Sequence, residues 1–327
     1  MVVAAEIPDI DVLWYFKNPV SGFAHHRGFT HTFLGVPFDA ALTLVIIYLY
    51  WLARGKRKMA REIDDGSHLP WQQPRWGILF GFACIAGLSH LLLDYTNDYG
   101  LRPLDPLNWH WYSWDIVFIV EPVMTIVLIV GLLIPPLFRL INEEIESHEE
   151  RRRPGGRGGA VFGLVCVLLL WGFRDFEHRG ALAQMQTQLY QGAEPLRMSA
   201  FPEMVDLFHW HVVVETRNFF ALFPVNSWTH EVDPHGEIQI FYKPEETPVT
   251  LAAKRSYLGR VYLDWAQYPM TEVEERAAPL GGYTVRIFDL RFYTPGRSPR
   301  RLGAVVELDR NLHVVDEYFE SSRRASD

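Results

Sequence analysis

The sequence predicts a multi-domain chain: an all-α polytopic membrane domain of about four spans over residues 1–175, a helical linker over 176–200, and a mainly β extracytoplasmic domain over 201–327. Three observations carry this prediction. Long apolar runs split by short polar loops stop near residue 173. Beyond that point charged, aromatic and Pro residues are mixed evenly, and several stretches alternate apolar with polar. Basic residues cluster in two of the loops between the runs and are nearly absent from the loop between them. Averages conceal the division, because 49% hydrophobic and 21% charged residues with a mean hydropathy of −0.02 sum two unlike halves.

A helix needs roughly 17 to 25 mostly apolar residues to cross the hydrocarbon core. Phe33 to Ala53, Trp76 to Leu93 and Ile116 to Leu140 meet that length. Ala160 to Phe173 is short enough for an interfacial or buried soluble helix, but leaving VFGLVCVLLLWGF in water would expose a large apolar patch, so it is read as the fourth span. Orientation follows from the preference of Lys and Arg loops for the cytoplasmic side. Arg54, Lys56, Arg57, Lys58 and Arg61 follow the first run, and Arg151, Arg152, Arg153 and Arg157 precede the fourth, so both loops belong inside. The segment before Phe33, the loop from Asp94 to Asp115 with its single Arg102, and everything after the fourth span then belong outside. MVVAAE reads either as the last turn of a helix whose beginning is absent, as a late start codon or a truncated chain would leave it, or as a simple short N-terminus.

A net charge of −8 argues against a nucleic-acid partner, which calls for a basic surface. Cys84 and Cys166 both sit inside apolar runs, where a thiol serves as a small hydrophobe. Neither a disulfide framework nor a cysteine metal site is expected from them. The sequence has no Gly-rich phosphate loop and no GxSxG nucleophile motif.

The polar chemistry falls on the predicted outer face. Pro8 to His31 contributes Asp9, Asp11, His25, His26, Arg27, Thr30 and His31 just before the first span. His90 and Asp94 stand four apart and share a helix face at the outer end of the second span. Asp115 and Glu121 open the third. Carboxylates and imidazoles without thiolates suit Zn²⁺, Mn²⁺ or Mg²⁺, and the large carboxylate share tilts toward two ions acting on a phosphate or similar ester. The expected metal ligands are Asp9, Asp11, His26, His31, His90, Asp94 and Asp115, with Glu121 as base or further ligand and Arg27 as a planar fork for an anion. Each has a plainer reading. His90 and Asp94 make an ordinary helix hydrogen bond, Asp9 and Asp11 cap a helix, Arg27 pairs with one of them, and one of His25 and His26 is a spectator. Glu121 resists this treatment, since ionisable groups at membrane depth are costly and mark a site or a buried partner.

With PDID at Pro8 to Asp11, HRGFTH at His26 to His31, HLLLDYTNDYG at His90 to Gly100 followed by Pro103, and WD at Trp114 and Asp115, the sequence resembles the YdjM/YbcI-like family of membrane-bound metal-dependent hydrolases. A weaker likeness extends to FHWHVVVET at Phe208 to Thr216. The resemblance implies a multi-pass protein of the bacterial inner membrane with a divalent-metal hydrolase site and no established substrate. Family members commonly begin with a further apolar helix bearing an early His, which this sequence lacks.

In the C-terminal region Arg174 to about Met198 favours a helix leaving the membrane. Trp210 to Glu215, Glu237 to Tyr242, Tyr283 to Tyr293, Gly303 to Leu308 and His313 to Tyr318 read as strands, with Asp309 to Asn311 turning the last hairpin. His209 and His211 share one side of a strand and read as sheet residues before metal ligands. Function therefore reads as a metal-dependent hydrolase acting on an ester or phosphoester of a lipid or envelope molecule. The alternatives are a non-catalytic membrane protein with a structural ion and a partner-binding β domain, and a transporter with intramembrane charges along its path.

Overall fold

The computed structural model describes residues 1–65, 74–145, 157–186, 190, 192–234, 236–277, 281–293 and 302–323. The chain forms two compact units that do not follow sequence order: residues 1–113, 246–292 and 298–327 make one, and 114–245 with 293–297 the other. The region 201–327, read above as a single β domain, therefore contributes a sheet to each.

The first unit begins with α1 (Val2–Glu6), a 3₁₀ segment Ile7–Phe16 and α2 (Pro19–His25), followed by the long helices α3 (Gly35–Asp65) and α4 (Trp76–Thr96). Ala4 of α1 packs with Ala40 of α3 and with Ala83 and Ala86 of α4. Side chains this small let helix backbones approach closely, and that brings the Asp-bearing 3₁₀ segment onto the same end of the helix pair. The stretches Gly35–Arg54 and Trp76–Thr96 are long and apolar enough to cross a membrane, and only 22% of an 18-residue apolar window in each is buried inside the protein. The rest is apolar surface of the kind a bilayer can cover. The side chains of Lys56, Arg57, Lys58 and Arg61, and the whole of 151–153, lie outside the described residues.

In the second unit α5 (Pro122–Ile145) and α6 (Arg157–Met185) pack side by side. Gly131 lets them meet, since a Cβ there would lie 3.2 Å from the Gly159 carbonyl oxygen. The third predicted span needs correcting. Its helix begins at Pro122 rather than Ile116, because Pro supplies a ready first-turn residue and disfavours helix just before itself. Ile116 and Val117 instead pack outside the helix against Val167 and Trp171. The apolar stretch of α5 among the described residues is short, Pro122–Leu133, whereas Gly158–Met185 of α6, the weakest run by sequence, is the third stretch able to cross. That helix absorbs the first part of the predicted 176–200 linker, and β1 (Arg197–Pro202) takes the end of it.

β1 pairs with β2 (His209–Glu215), β2 with β3 (Phe219–Asn226), and β3 with both β4 (Glu231–Val232) and β5 (Gln239–Tyr242), all antiparallel. Trp210, Val212 and Val214 of β2 pack on Ala181 and Met185 at the end of α6. In the first unit α7 (Pro248–Arg255) and α8 (Tyr257–Trp265) precede an antiparallel meander of β6 (Pro269–Glu275), β7 (Tyr283–Asp289), β8 (Ala304–Leu308) and β9 (Val314–Phe319), and α9 (Glu320–Arg323) follows it. Leu258, Tyr262 and Trp265 of α8 pack on Val285, Ile287 and Val306 of that sheet, and Val20 and Phe23 of α2 enter the same core. This sheet-and-helix layer is thereby joined to the segment that carries the candidate site.

Candidate metal centre

Local chemistry explains where each donor sits. The Thr32 hydroxyl accepts from the Gly35 N–H at 2.8 Å, which caps α3 and fixes His31 just outside its first turn. A Cβ at Gly35 would collide with the Phe29 carbonyl, so only glycine lets the Phe29–His31 turn fold down on the helix. One turn apart on α4, His90 and Asp94 face the same side. Asp9 and Asp11 project from the 3₁₀ segment held down by α1.

These segments converge. His31 Nε2 lies 3.2 Å from His90 Nε2, 3.3 Å from Asp9 Oδ1 and 3.4 Å from Asp94 Oδ2. His90 Nε2 lies 3.6 Å from Asp9 Oδ1 and 3.4 Å from Asp94 Oδ2. Asp9 and Asp94 thus form two triangles on a shared imidazole edge. Ligands about 2.0–2.2 Å from a tetrahedral ion stand about 3.3–3.6 Å from one another, so each triangle has nearly the dimensions of a coordination face. Asp94 Oδ2 is buried and faces both imidazole Nε2 atoms, 3.4 Å from each. Asp9, His31 and His90 offer ligand atoms within 4.8 Å of one another, a group that could hold a metal ion.

A second layer orients these donors. His31 is fully buried, and Asp11 Oδ2 stands 3.2 Å from its Nδ1. An Nδ1–H donated to that carboxylate leaves the Nε2 lone pair facing the centre, the arrangement that fixes metal-binding imidazoles. Asp11 also accepts the Arg27 backbone N–H at 2.7 Å and lies 3.3 Å from His26 Nδ1. Arg27, with a left-handed φ of 53°, turns its guanidinium inward. It donates to Asp94 Oδ1 at 2.8 Å, to the Gly100 carbonyl at 2.7 Å and to Asn97 Oδ1 at 3.2 Å, and it lies over the Tyr99 ring.

The electrostatics follow. Hydrogen bonds from His31 and His90 hold the Asp9 carboxyl far below the usual range. Burial opposes the ionised form of Asp11, but His26 and His31 outweigh it and keep that carboxyl low as well. Burial disfavours a charged His31, yet Asp11 and Asp9 raise its pKa. The pocket therefore attracts positive charge strongly, whether as protons or as a cation.

Of the residues singled out by sequence, Asp9, His31, His90 and Asp94 face one another. Asp11, His26 and Arg27 stand behind them, with Arg27 occupied by protein groups and not presented as an open anion fork. His25 stacks on Trp14 and lies 2.9 Å from the Ser21 carbonyl oxygen. Asp115 and Glu121 belong to the second unit, where buried Glu121 interacts with buried Arg174. Arg174 itself donates to the carbonyls of Ile116 and Leu207. His209 pairs with Asp206 and His211 approaches Glu203, as sheet residues do. Sequence reasoning missed Asp39, buried one turn into α3, with an oxygen lacking a hydrogen bond and charge coupling to His31 and His90. Its signal was available: a lone acid inside an apolar span.

One prediction arises directly. Asp11→Asn keeps the shape but weakens the hold on the His31 tautomer, and Zn²⁺ affinity measured by competition with a chromophoric chelator should fall about 10–100-fold. Unchanged affinity would remove Asp11 from the supporting layer.

Residues 1–181 match the model of the YdjM inner membrane protein family, and residues 248–325 match that of the YfhP C-terminal alpha/beta plait domain. A protein of Bacillus subtilis (strain 168), named only as uncharacterized protein YfhP, is 22% identical over 320 residues, which cover 97% of this chain and 83% of that one. No solved structure matches.

Proposed function

The chain belongs to the YdjM inner membrane protein family, and from that premise we propose a multi-pass, metal-dependent hydrolase that cleaves an ester or phosphoester at the outer surface of the bacterial plasma membrane. His31, His90, Asp9 and Asp94 hold the divalent cation. The observation that carries this reading is the pair of Nε2 atoms 3.2 Å apart with carboxylate oxygens of Asp9 and Asp94 within 3.6 Å. What the cation supplies when bound is Lewis acidity toward a water molecule and toward an ester or phosphoryl oxygen.

The protein's own groups do the rest. Asp11 keeps the His31 imidazole in one tautomer, and Arg27 holds one Asp94 oxygen so that the other points inward. Asp9 has 45% of its side chain exposed, which makes it the donor nearest to incoming substrate and the one able to yield a coordination position. The distribution of Arg and Lys supports placing both the centre and the C-terminal sheets outside. An apolar cleft of about 470 Å³, lined by Phe33, Leu88, Leu91, Leu92, Tyr95 and Leu101 among others, supports a substrate with a hydrocarbon chain.

The test uses full-length protein in detergent or nanodiscs, loaded with Zn²⁺ or Mn²⁺ and offered aryl esters, aryl phosphodiesters and bilayer lipids. Turnover on one class is expected, lost on chelation and restored by the metal. A specific observation favours a second reading, a structural ion: two imidazoles and two carboxylates suffice to close a four-coordinate shell. Bound metal with no turnover on any class would establish that reading instead.

A further inference from the structure

A continuous chain of buried contacts runs from the plait layer of the first unit to the candidate metal centre. Arg291, 1% exposed, follows β7 in the short 3₁₀ turn Leu290–Phe292. Its backbone N–H and Nε donate to Asp289, at 2.9 and 3.0 Å, which fixes the guanidinium plane. From there NH1 donates to the Asp98 carbonyl at 2.8 Å and NH2 to the Trp265 carbonyl at 3.2 Å, while the cation lies over the Trp265 ring. Trp265, at the end of α8, donates its Nε1–H to the Tyr99 carbonyl at 3.1 Å. Two consecutive carbonyls of the turn after α4 are therefore held by two plait side chains.

The same turn is gripped from its other side by the centre. Asn97 Oδ1 accepts from the Tyr99 N–H, and Gly100 takes a left-handed φ of 79° to close the turn. A Cβ at Gly100 would press on the Tyr112 carbonyl, 3.0 Å away. Asn97 Oδ1 and the Gly100 carbonyl receive Arg27 NH1, whose second nitrogen fixes Asp94. Without a turn of fixed shape Arg27 has no fixed NH1 site, and Asp94 loses the group that directs Oδ2 at the imidazoles.

We infer that Trp265 and Arg291 are positioning residues for the metal centre, and that the C-terminal plait layer serves as the template that sets Asp94 for cation binding. This rests on the metal-centre reading above, and the experiment separates the two. Trp265→Phe keeps the ring and removes only the donor to Tyr99. Arg291→Lys keeps a cation beside Asp289 and removes the reach to Asp98. Val305→Ala, buried in β8 but outside the cluster that holds Tyr99, serves as the matched loss of plait packing.

Each variant is made in the full chain, and amide hydrogen exchange at 97–101 is measured without metal. Co²⁺ affinity and the Co²⁺ visible absorption spectrum are then recorded. Trp265→Phe and Arg291→Lys should speed exchange in the turn at least tenfold, weaken Co²⁺ about 10–100-fold and shift its spectrum, whereas Val305→Ala should do none of these below its own melting temperature. Wild-type exchange and affinity in the first two variants, or equal effects in Val305→Ala, would overturn the inference. Failure of the wild-type protein to bind Co²⁺ would overturn the metal-centre reading, and the exchange measurement would still decide whether the plait layer holds the turn.

Discussion

Replacing His31 or His90 with alanine is expected to abolish stoichiometric Zn²⁺ binding, with affinity falling by more than the roughly 10–100-fold that loss of a supporting residue costs. Each imidazole is a corner of both coordination triangles, so neither carboxylate can compensate for its loss. Removing His31 also takes away the partner that Asp9 and Asp11 share, leaving their two negative charges without it between them. Asp94→Ala should approach the same loss by a different route, because it removes a donor and leaves the buried Arg27 guanidinium without the carboxylate it pairs with. Elemental analysis of the purified full-length variants, alongside far-ultraviolet circular dichroism to confirm retained helix, reads the result. Wild-type metal content in His31→Ala or His90→Ala would refute the centre.

The second large effect concerns stability. Asp289 and Arg291 form an ion pair with both side chains fully buried, 2.9 Å apart. Breaking such a pair from one side leaves an uncompensated charge in the interior and costs about 3–5 kcal/mol. Arg291→Ala is therefore expected to lower the plait layer's resistance to denaturant by that amount, more than any exposed ion-pair variant such as Glu274→Ala, whose pair with Arg286 is worth about 0–1 kcal/mol. Asp289→Asn with Arg291→Met should recover part of the loss, since no bare charge then stays inside. Tryptophan fluorescence in a denaturant series distinguishes these outcomes, and a loss below about 1 kcal/mol in Arg291→Ala would contradict the burial argument.

Much of this was legible in the sequence because membrane helices are specified by length and apolarity, properties any window reveals. The convergence of PDID, HRGFTH and HLLLD was legible too, since topology forces loops of one side together. What composition could not disclose was the division of labour among neighbours. Asp9 and Asp11 differ by two positions, and the pitch of the 3₁₀ segment decides which meets Nε2 and which meets Nδ1 of His31. For His26 too the sequence leaves the direction open, and the bend at Arg27 brings it to Asp11. The start of α5 was obscured because Ile116 to Val120 are as apolar as the helix that follows, and only Pro122 marks the boundary. Helices α7 and α8 escaped the β reading despite clear signals: Thr247 and Thr250 cap one reciprocally, Ser256 caps the other, and Leu258, Tyr262 and Trp265 recur at helical spacing. Short helices inside a strand-rich region are easily read as loop when attention rests on alternation.

The pinned turn after α4 carries an implication for biosynthesis. Asp98 and Arg291 are 193 positions apart, so a ribosome finishes every proposed cation donor long before it makes the side chain that pins this turn. On the proposed reading, a partly synthesised chain has its imidazoles without their final brace, and full metal affinity is expected only with the last sheet. Such timing would keep a nascent protein from capturing a cation tightly before it is whole.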